Sequence, residues 1–209
     1  MPILNSIAQR RRAVAFAVAL TSGTPLAPQR YERDLLALFE AGILDLDEVS
    51  ELLEQSVYQI LYHSRTTQPL GEHELRALLE QSERNNARHR ITGLLLYSDG
   101  RYVQVLEGAQ NDVEALYARI QCDPRHQQVV TVSEGPSPKR LFADWNMEFG
   151  RVAAPEIDRM LDAVLAPHPP TDLRVENAHL QALLKAFGPR VATAWAQTEQ
   201  PLCSGSGIG

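Results

Sequence analysis

A phenol and several side-chain amides stand where an apolar layer is expected. In GRYVQVLEG, residues 100–108, alternation of side chains puts Tyr102, Gln104 and Leu106 on one strand face. Val103 and Val105 take the other face, and Glu107 closes the run. Apolar residues on both faces imply a strand covered on both sides, and an unpaired buried amide there costs about 1–3 kcal/mol. In PLGEHELRALLEQSERNNARH, residues 69–89, the inward helical stripe runs 75, 78, 79, 82, 86. It starts as leucines and then turns polar at Ser82 and Asn86, with Asn85 beside them. VYQILYHS, residues 57–64, places Tyr58, Ile60 and Tyr62 on one face. Taken singly, each polar residue has a plainer reading: a helix-end asparagine, a strand-end tyrosine, a satisfied core amide. Together, Tyr62, Ser82, Asn86 and Gln104 converge from two strands and a helix, which suits a planar ligand with a polar edge.

The elements that must position them follow from periodicity. Val57–Ser64 is a strand, Pro69–His89 a helix, and Ile91–Gly108 a hairpin turning at Asp99-Gly100. Asn111–Gln121 is a helix with Asn111 expected as its cap and Glu114 three residues on. His126–Gly135 and Asp144–Gly150 read as two further strands. The order predicts an α+β, ferredoxin-like βαββαβ(β) mixed sheet with two helices on one face. Two C-terminal helices, 155–165 and 172–187, separated by the Pro-rich joint 166–171, are expected on the other face. The chain thus divides into an N-terminal extension (1–56), a core domain (57–150), C-terminal helices (151–190) and a flexible tail (191–209).

In the extension, residues 28–55 read as a helical hairpin broken at Gly42, with Asp45 and Glu48 at capping-box spacing. Two short amphipathic helices cannot bury their stripes alone and must dock on the core domain or on another chain. Upstream, three arginines precede eight consecutive apolar residues, 13–20. That pattern resembles a signal peptide but is short and lacks a small-x-small cleavage site, so a short helix or loose extension is the expectation. Eight residues cannot span a membrane, which takes about 20.

Composition narrows the function class. The 209 residues are 44% hydrophobic with a formal net charge of −6, which argues against a general nucleic-acid binder. The arginines of QRRR read as a solvated charge run. Cys122 and Cys203 have neither metal nor redox spacing. The glycines of SGSGIG precede no helix and form no nucleotide fingerprint.

The strings ILYHSR, SERNNARHRITGLLLYSDGRYVQVLEG, DPRH and FADWNMEFG, in this order over Val57–Gly150, strongly resemble BLUF domains, the flavin-binding blue-light sensors. The C-terminal helix pair resembles the extension of short BLUF proteins, whereas residues 1–56 lie outside the resemblance. It implies FAD as cofactor. It also implies Tyr62 as electron and proton donor to the excited flavin, Gln104 as the side chain whose hydrogen bonds rearrange, and Asn86 as holder of the ring's polar edge. Asn85 and Ser82 stand beside Asn86; Trp145 and Met147 match the last strand's relay pair; Arg125 and His126 fall near the flavin's path. The implied protein is a cytoplasmic photoreceptor, not an enzyme, that signals to an unknown protein partner or through homo-oligomer assembly.

Two alternatives come from the residues themselves. A ferredoxin-like acyl-phosphate hydrolase could use Arg65, but the glycine-rich anion loop is missing. A flavin-free interaction module would keep the fold, against which the intact Tyr62, Gln104 and Asn86 speak.

Overall fold

The computed structural model describes residues 6–68, 71–165 and 177–187. The Pro-rich joint, the start of the last helix from 172, the tail and Cys203 lie outside the described residues. The described elements are α1 (Ile7–Thr21), α2 (Arg30–Glu40), α3 (Leu46–Glu54), β1 (Val57–Thr66), α4 (Glu72–Arg88), β2 (Thr92–Ser98), β3 (Arg101–Gly108), α5 (Gln110–Gln121), β4 (His126–Ser137), β5 (Glu148–Arg151), α6 (Ala154–Leu165) and α7 (Ala178–Phe187).

The sheet runs β4-β1-β3-β2-β5. β1 pairs antiparallel with β3 and β4, and β2 antiparallel with β3, while β5 adds on in parallel beside β2. This is the expected ferredoxin-like arrangement with one extra strand. Strand alternation sorts the core into two layers. Ile60, Tyr62, Tyr102 and Leu106 pack with Val113 and Tyr117 of α5. Leu61, Leu94, Leu96, Val103 and Val105 pack on the opposite face with residues of α6 and α7 such as Ile157, Met160, Leu180 and Leu183. The C-terminal helix pair therefore covers the second face, which is why the strands are apolar on both sides. The β2–β3 turn is tight, with φ of 44° at Asp99 and 78° at Gly100, the left-handed pair that a two-residue hairpin needs.

Two local expectations are corrected. Ala109, not Asn111, is the N-cap of α5, and no side chain caps it. Asn111 lies inside the first turn, where Gln110 Nε2 donates to Glu114 Oε1 at 2.8 Å. The last strand is limited to Glu148–Arg151; Asp144–Met147 approach it as irregular chain. That segment is tied to the sheet where Gly93 N donates to the Trp145 carbonyl at 3.0 Å.

The extension folds on its own small core of Val14, Leu35, Phe39 and Val49. Residues 7–21 form a regular helix rather than loose chain. Asp45 caps α3 as expected, accepting from Glu48 N at 2.9 Å while Glu48 Oε2 accepts from Asp45 N at 2.8 Å. The unit docks on the core domain. α2 packs against β4, and Arg30 Nη1 donates to the Ala186 carbonyl in the last turn of α7 at 3.1 Å. A side chain at Gly135 would bring its Cβ to 2.7 Å from Gln29 Cβ, so glycine permits this close approach to the edge strand.

Candidate functional site

Beneath α4 and α5, on the sheet face they cover, lies a cleft of about 310 Å³. α4 presents Ser82, Asn85 and Asn86 to it, β3 presents Tyr102 and Gln104, and Met147 enters from the segment before β5. Arg125 and His126, at the start of β4, also line it. The remaining walls include the apolar side chains of Leu78, Leu95, Leu116 and Ile120.

Tyr62 does not line the cleft. It is directly opposite Gln104 in the β1–β3 register, fully buried, and its hydroxyl donates to Gln104 Oε1. A register shift in the β1–β4 ladder falls between Leu61 and Tyr62, a local irregularity of the kind that re-aims a side chain. The Tyr62 ring lies 5.0 Å from that of Tyr117. Burial, then the neighbouring Tyr117 and Tyr102, pushes the Tyr62 phenol well above its ordinary value, so it stays protonated and donates.

The other end of Gln104 reaches Met147, with Nε2 3.3 Å from Sδ. A thioether is a weak acceptor, so the amide's donor end is not held by a strong partner. Asn86 is buried and donates one Nδ2 hydrogen to the Asn146 carbonyl at 2.9 Å. Two amides with donor capacity thus meet apolar walls, a donor set that fits a planar ring carrying carbonyl and imine acceptors along one edge. A flavin ring has that edge.

The mouth of the cleft is charged. Arg125 Nε donates to Asp123 Oδ1 at 2.9 Å, and this pairing holds the Asp123 carboxyl down at about 2. His126 Nδ1 lies 2.9 Å from Ser64 Oγ, and its ring is 5.2 Å from that of Tyr102. Burial lowers its imidazole below the usual value, with Asp123 opposing and Arg125 reinforcing the effect.

Among the site residues read from sequence, Ser82, Asn85, Asn86, Gln104, Arg125, His126 and Met147 come together around the cleft, and Tyr62 stands behind Gln104. Trp145 does not join them. It is 39% exposed, stacked on Phe142 at 5.8 Å and edge-on to His179 of α7 at 6.1 Å. Sequence reasoning missed Arg119 and Asp123, which line the cleft with Leu116 and Ile120. Leu116, Arg119 and Ile120 share one face of α5 at i, i+3, i+4 spacing, which was available as a signal, whereas Asp123 lies just past the helix end and left none.

Glu107 was missed as well. It is fully buried on the other sheet face. There it accepts from Gln59 Nε2 at 2.6 Å and from the backbone nitrogens of Leu141 (2.9 Å) and Phe142 (3.0 Å). Arg140 reinforces this clasp, donating to the Glu107 carbonyl and to Thr92 Oγ1, both at 2.8 Å. The segment leading to Trp145 and Met147 is thereby fixed at its start.

The topology and the amide-lined cleft define an α+β, ferredoxin-like domain with a small-molecule-sized site between its sheet and helices. Residues 57–148 match the family model described as BLUF, sensors of blue-light using FAD, and this part of the chain is a BLUF domain. The family binds flavin. Over 100 residues the chain is 37% identical to the photoactivated adenylate cyclase subunit beta of Euglena longa, covering 47% of this chain and 12% of that relative. It is 30% identical over 102 residues to the blue light- and temperature-regulated antirepressor BluF of Escherichia coli K12, covering 49% and 25%. The solved dark-state structure of BlrB, a BLUF protein, aligns at 29% identity with a TM-score of 0.44, covering 54% of this chain and 80% of that one. The chain spans a quarter or less of the length of the two curated relatives.

Proposed function

We propose that the chain is a blue-light photoreceptor that holds FAD in this cleft and signals through protein contacts. The observation that carries the reading is the relay Tyr62 Oη–Gln104–Met147 Sδ at the cleft wall. Asn86 and Gln104 hold the ring's polar edge, with Ser82 and Asn85 beside them. Leu78, Leu95, Leu116 and Ile120 exclude water from its faces, and Arg125 and His126 flank the remainder of the cofactor. When bound, the flavin supplies blue-light absorption and an excited state that accepts an electron.

Tyr62 is the donor. Its protonated phenol is aligned on Gln104 Oε1, so a proton leaving Oη has one short path. Gln104 is the switch because its two ends are similar in size and opposite in hydrogen-bond sense. Rotation or tautomerisation of the amide reverses what it offers to Tyr62, to Met147 and to the cleft with little movement of heavy atoms. Met147, which touches the amide, passes the reversal to the segment clasped by Glu107 and so to β5. Trp145, from that segment, touches α7 through His179 and serves as the outer member of the relay. The two states become distinguishable to a partner at that surface.

The reading places the chain in the cytoplasm, assigns it no catalysis of its own, and assigns it a protein partner and self-association. Among the described residues, no helix is long and apolar enough to cross a membrane. The test is the absorption spectrum of the purified protein in darkness and after blue light, with the extracted flavin identified by chromatography. A flavin band that shifts to the red and recovers in darkness supports the proposal. A static flavin band reduces the chain to a binding module, and rejection of added FAD overturns the reading.

A further inference from the structure

α1 carries a charge arrangement that its own helix does not satisfy. Arg10, Arg11 and Arg12 lie in its N-terminal half, the first turn has no acidic residue and the last turn no basic one. Cations near a helix N-terminus oppose the macrodipole, and a C-terminus favours them. Arg10 is accounted for: its guanidinium sits 4.8 Å over the Phe39 ring and donates to the Phe39 and Leu44 carbonyls. Arg11 and Arg12 are exposed.

The helix is also apolar on two sides. Val14 faces the small core it shares with α2 and α3, with Val18 packed at its border. About 180° away, helical spacing places Arg12, Ala15, Phe16, Ala19 and Leu20 on one outward stripe. Phe16 is 67% and Leu20 66% exposed. An isolated exposed leucine needs no account, but a helix apolar on both sides belongs in an interior.

We infer that the outward face of α1 is a dimerisation surface for a second copy of this chain, with the two α1 helices antiparallel and crossing near Phe16. One two-fold contact then resolves both features. Phe16 packs on its own copy between the alanines, whose small side chains let the backbones approach. Arg12 comes beside Leu20 of the second copy, at a helix end that lacks a cation. The patch is self-complementary only in this antiparallel sense, as an isologous contact demands. A parallel pair would stack the arginines on one another. A lipid surface would call for arginines flanking the apolar stripe along its length, whereas these are gathered at one end.

The test is sedimentation of the full chain in darkness over a concentration series. A dimer is expected that Phe16→Glu converts to monomer, with Arg12→Glu raising the dissociation constant by about tenfold or more. Both positions are exposed, and unchanged far-UV circular dichroism confirms folding. With Cys122 and Cys203 replaced by serine, Phe16→Cys should cross-link through a short bis-maleimide. Leu20→Cys should not, because its two copies stand about 12 Å apart along the helix axes. A monomer at every concentration, or a dimer indifferent to Phe16→Glu, overturns the proposal. Cross-linking at both Phe16 and Leu20 overturns the antiparallel geometry, because a parallel pair sets each residue beside its own copy. Phe16-dependent binding of a monomer to anionic vesicles assigns the face to lipid instead.

Discussion

Tyr62 and Gln104 are direct neighbours across the β1–β3 ladder, and the phenol of one donates to the amide oxygen of the other. Both point to the face beneath α4 and α5, and no rotamer change is needed for them to meet. Removing the hydroxyl with Tyr62→Phe leaves Gln104 Oε1 without its donor inside the layer. The expected cost is about 1–3 kcal/mol of stability, read from urea unfolding, together with loss of the light-induced red shift while the flavin band is retained.

Met147 sits between Gln104 and the chain leading to β5. Met147→Leu conserves volume and should cost less than about 1.5 kcal/mol, but it removes the sulfur that the amide approaches. Flavin content should be unchanged and the rate of dark recovery altered. Flash spectroscopy on the variant reads this directly, and an unaltered rate removes Met147 from the relay.

Asn86 donates to the Asn146 carbonyl and, in the proposed function, also holds the polar edge of the ring. Asn86→Ala should weaken flavin affinity by about tenfold or more, equivalent to about 1.4 kcal/mol, measured by equilibrium dialysis. Asn85→Ala, at an exposed position on the same helix end, should have the smaller effect.

Stability should fall in two acid steps. Burial lowers the His126 imidazole, so its contribution is complete above the unfolded value of about 6.5 and is lost as pH falls through the lower folded value. Asp123, held at about 2 by Arg125, contributes above its ordinary value of 3.8 and loses that contribution as pH falls towards about 2. Urea midpoints against pH should show the first step, and His126→Gln should remove it while keeping the second.

Glu107 anchors the start of the segment that delivers Met147. Glu107→Gln exchanges charged for neutral hydrogen bonds to Leu141 N, Phe142 N and Gln59, and should cost about 1.5–3 kcal/mol. It should also change the fluorescence of Trp145, which stacks on Phe142 at 5.8 Å. The clasp is not needed if the midpoint and the emission both stay put.

Local rules carried much of the fold. The 3.6 and 2.0 periods placed the helices and the β2–β3 hairpin, Asp99-Gly100 specified the turn, and the Asp45–Glu48 box started α3. Apolar residues on both faces of β3 announced layers on both sides of the sheet, which α5 and α6–α7 supply. Polar residues on an inward stripe exposed the site, because no apolar layer keeps Ser82, Asn86 and Gln104 without a reason.

What local rules could not decide depends on groups brought together from afar. Asn111 has the residue type and spacing of a cap, yet chain entry from Gly108 sets the start of α5 two residues earlier, at Ala109. Asp144–Met147 has strand-like residues, yet it runs as irregular chain, held by the Glu107 clasp at its start and by Gly93 and Gln104 further on. Met147 and Trp145 of that segment therefore part, Met147 into the cleft and Trp145 towards α7. Composition and period pointed to a polar site beside β3 and α4, which the cleft contains, but wrongly put β1 on its lining and left out α5. Only the tertiary structure decided that Tyr62 stands behind Gln104, that Arg119 and Asp123 join the wall, and that the N-terminal helices grip β4 and α7. The reason is that hydrogen bonds and ion pairs between residues remote in sequence leave no periodic trace in it.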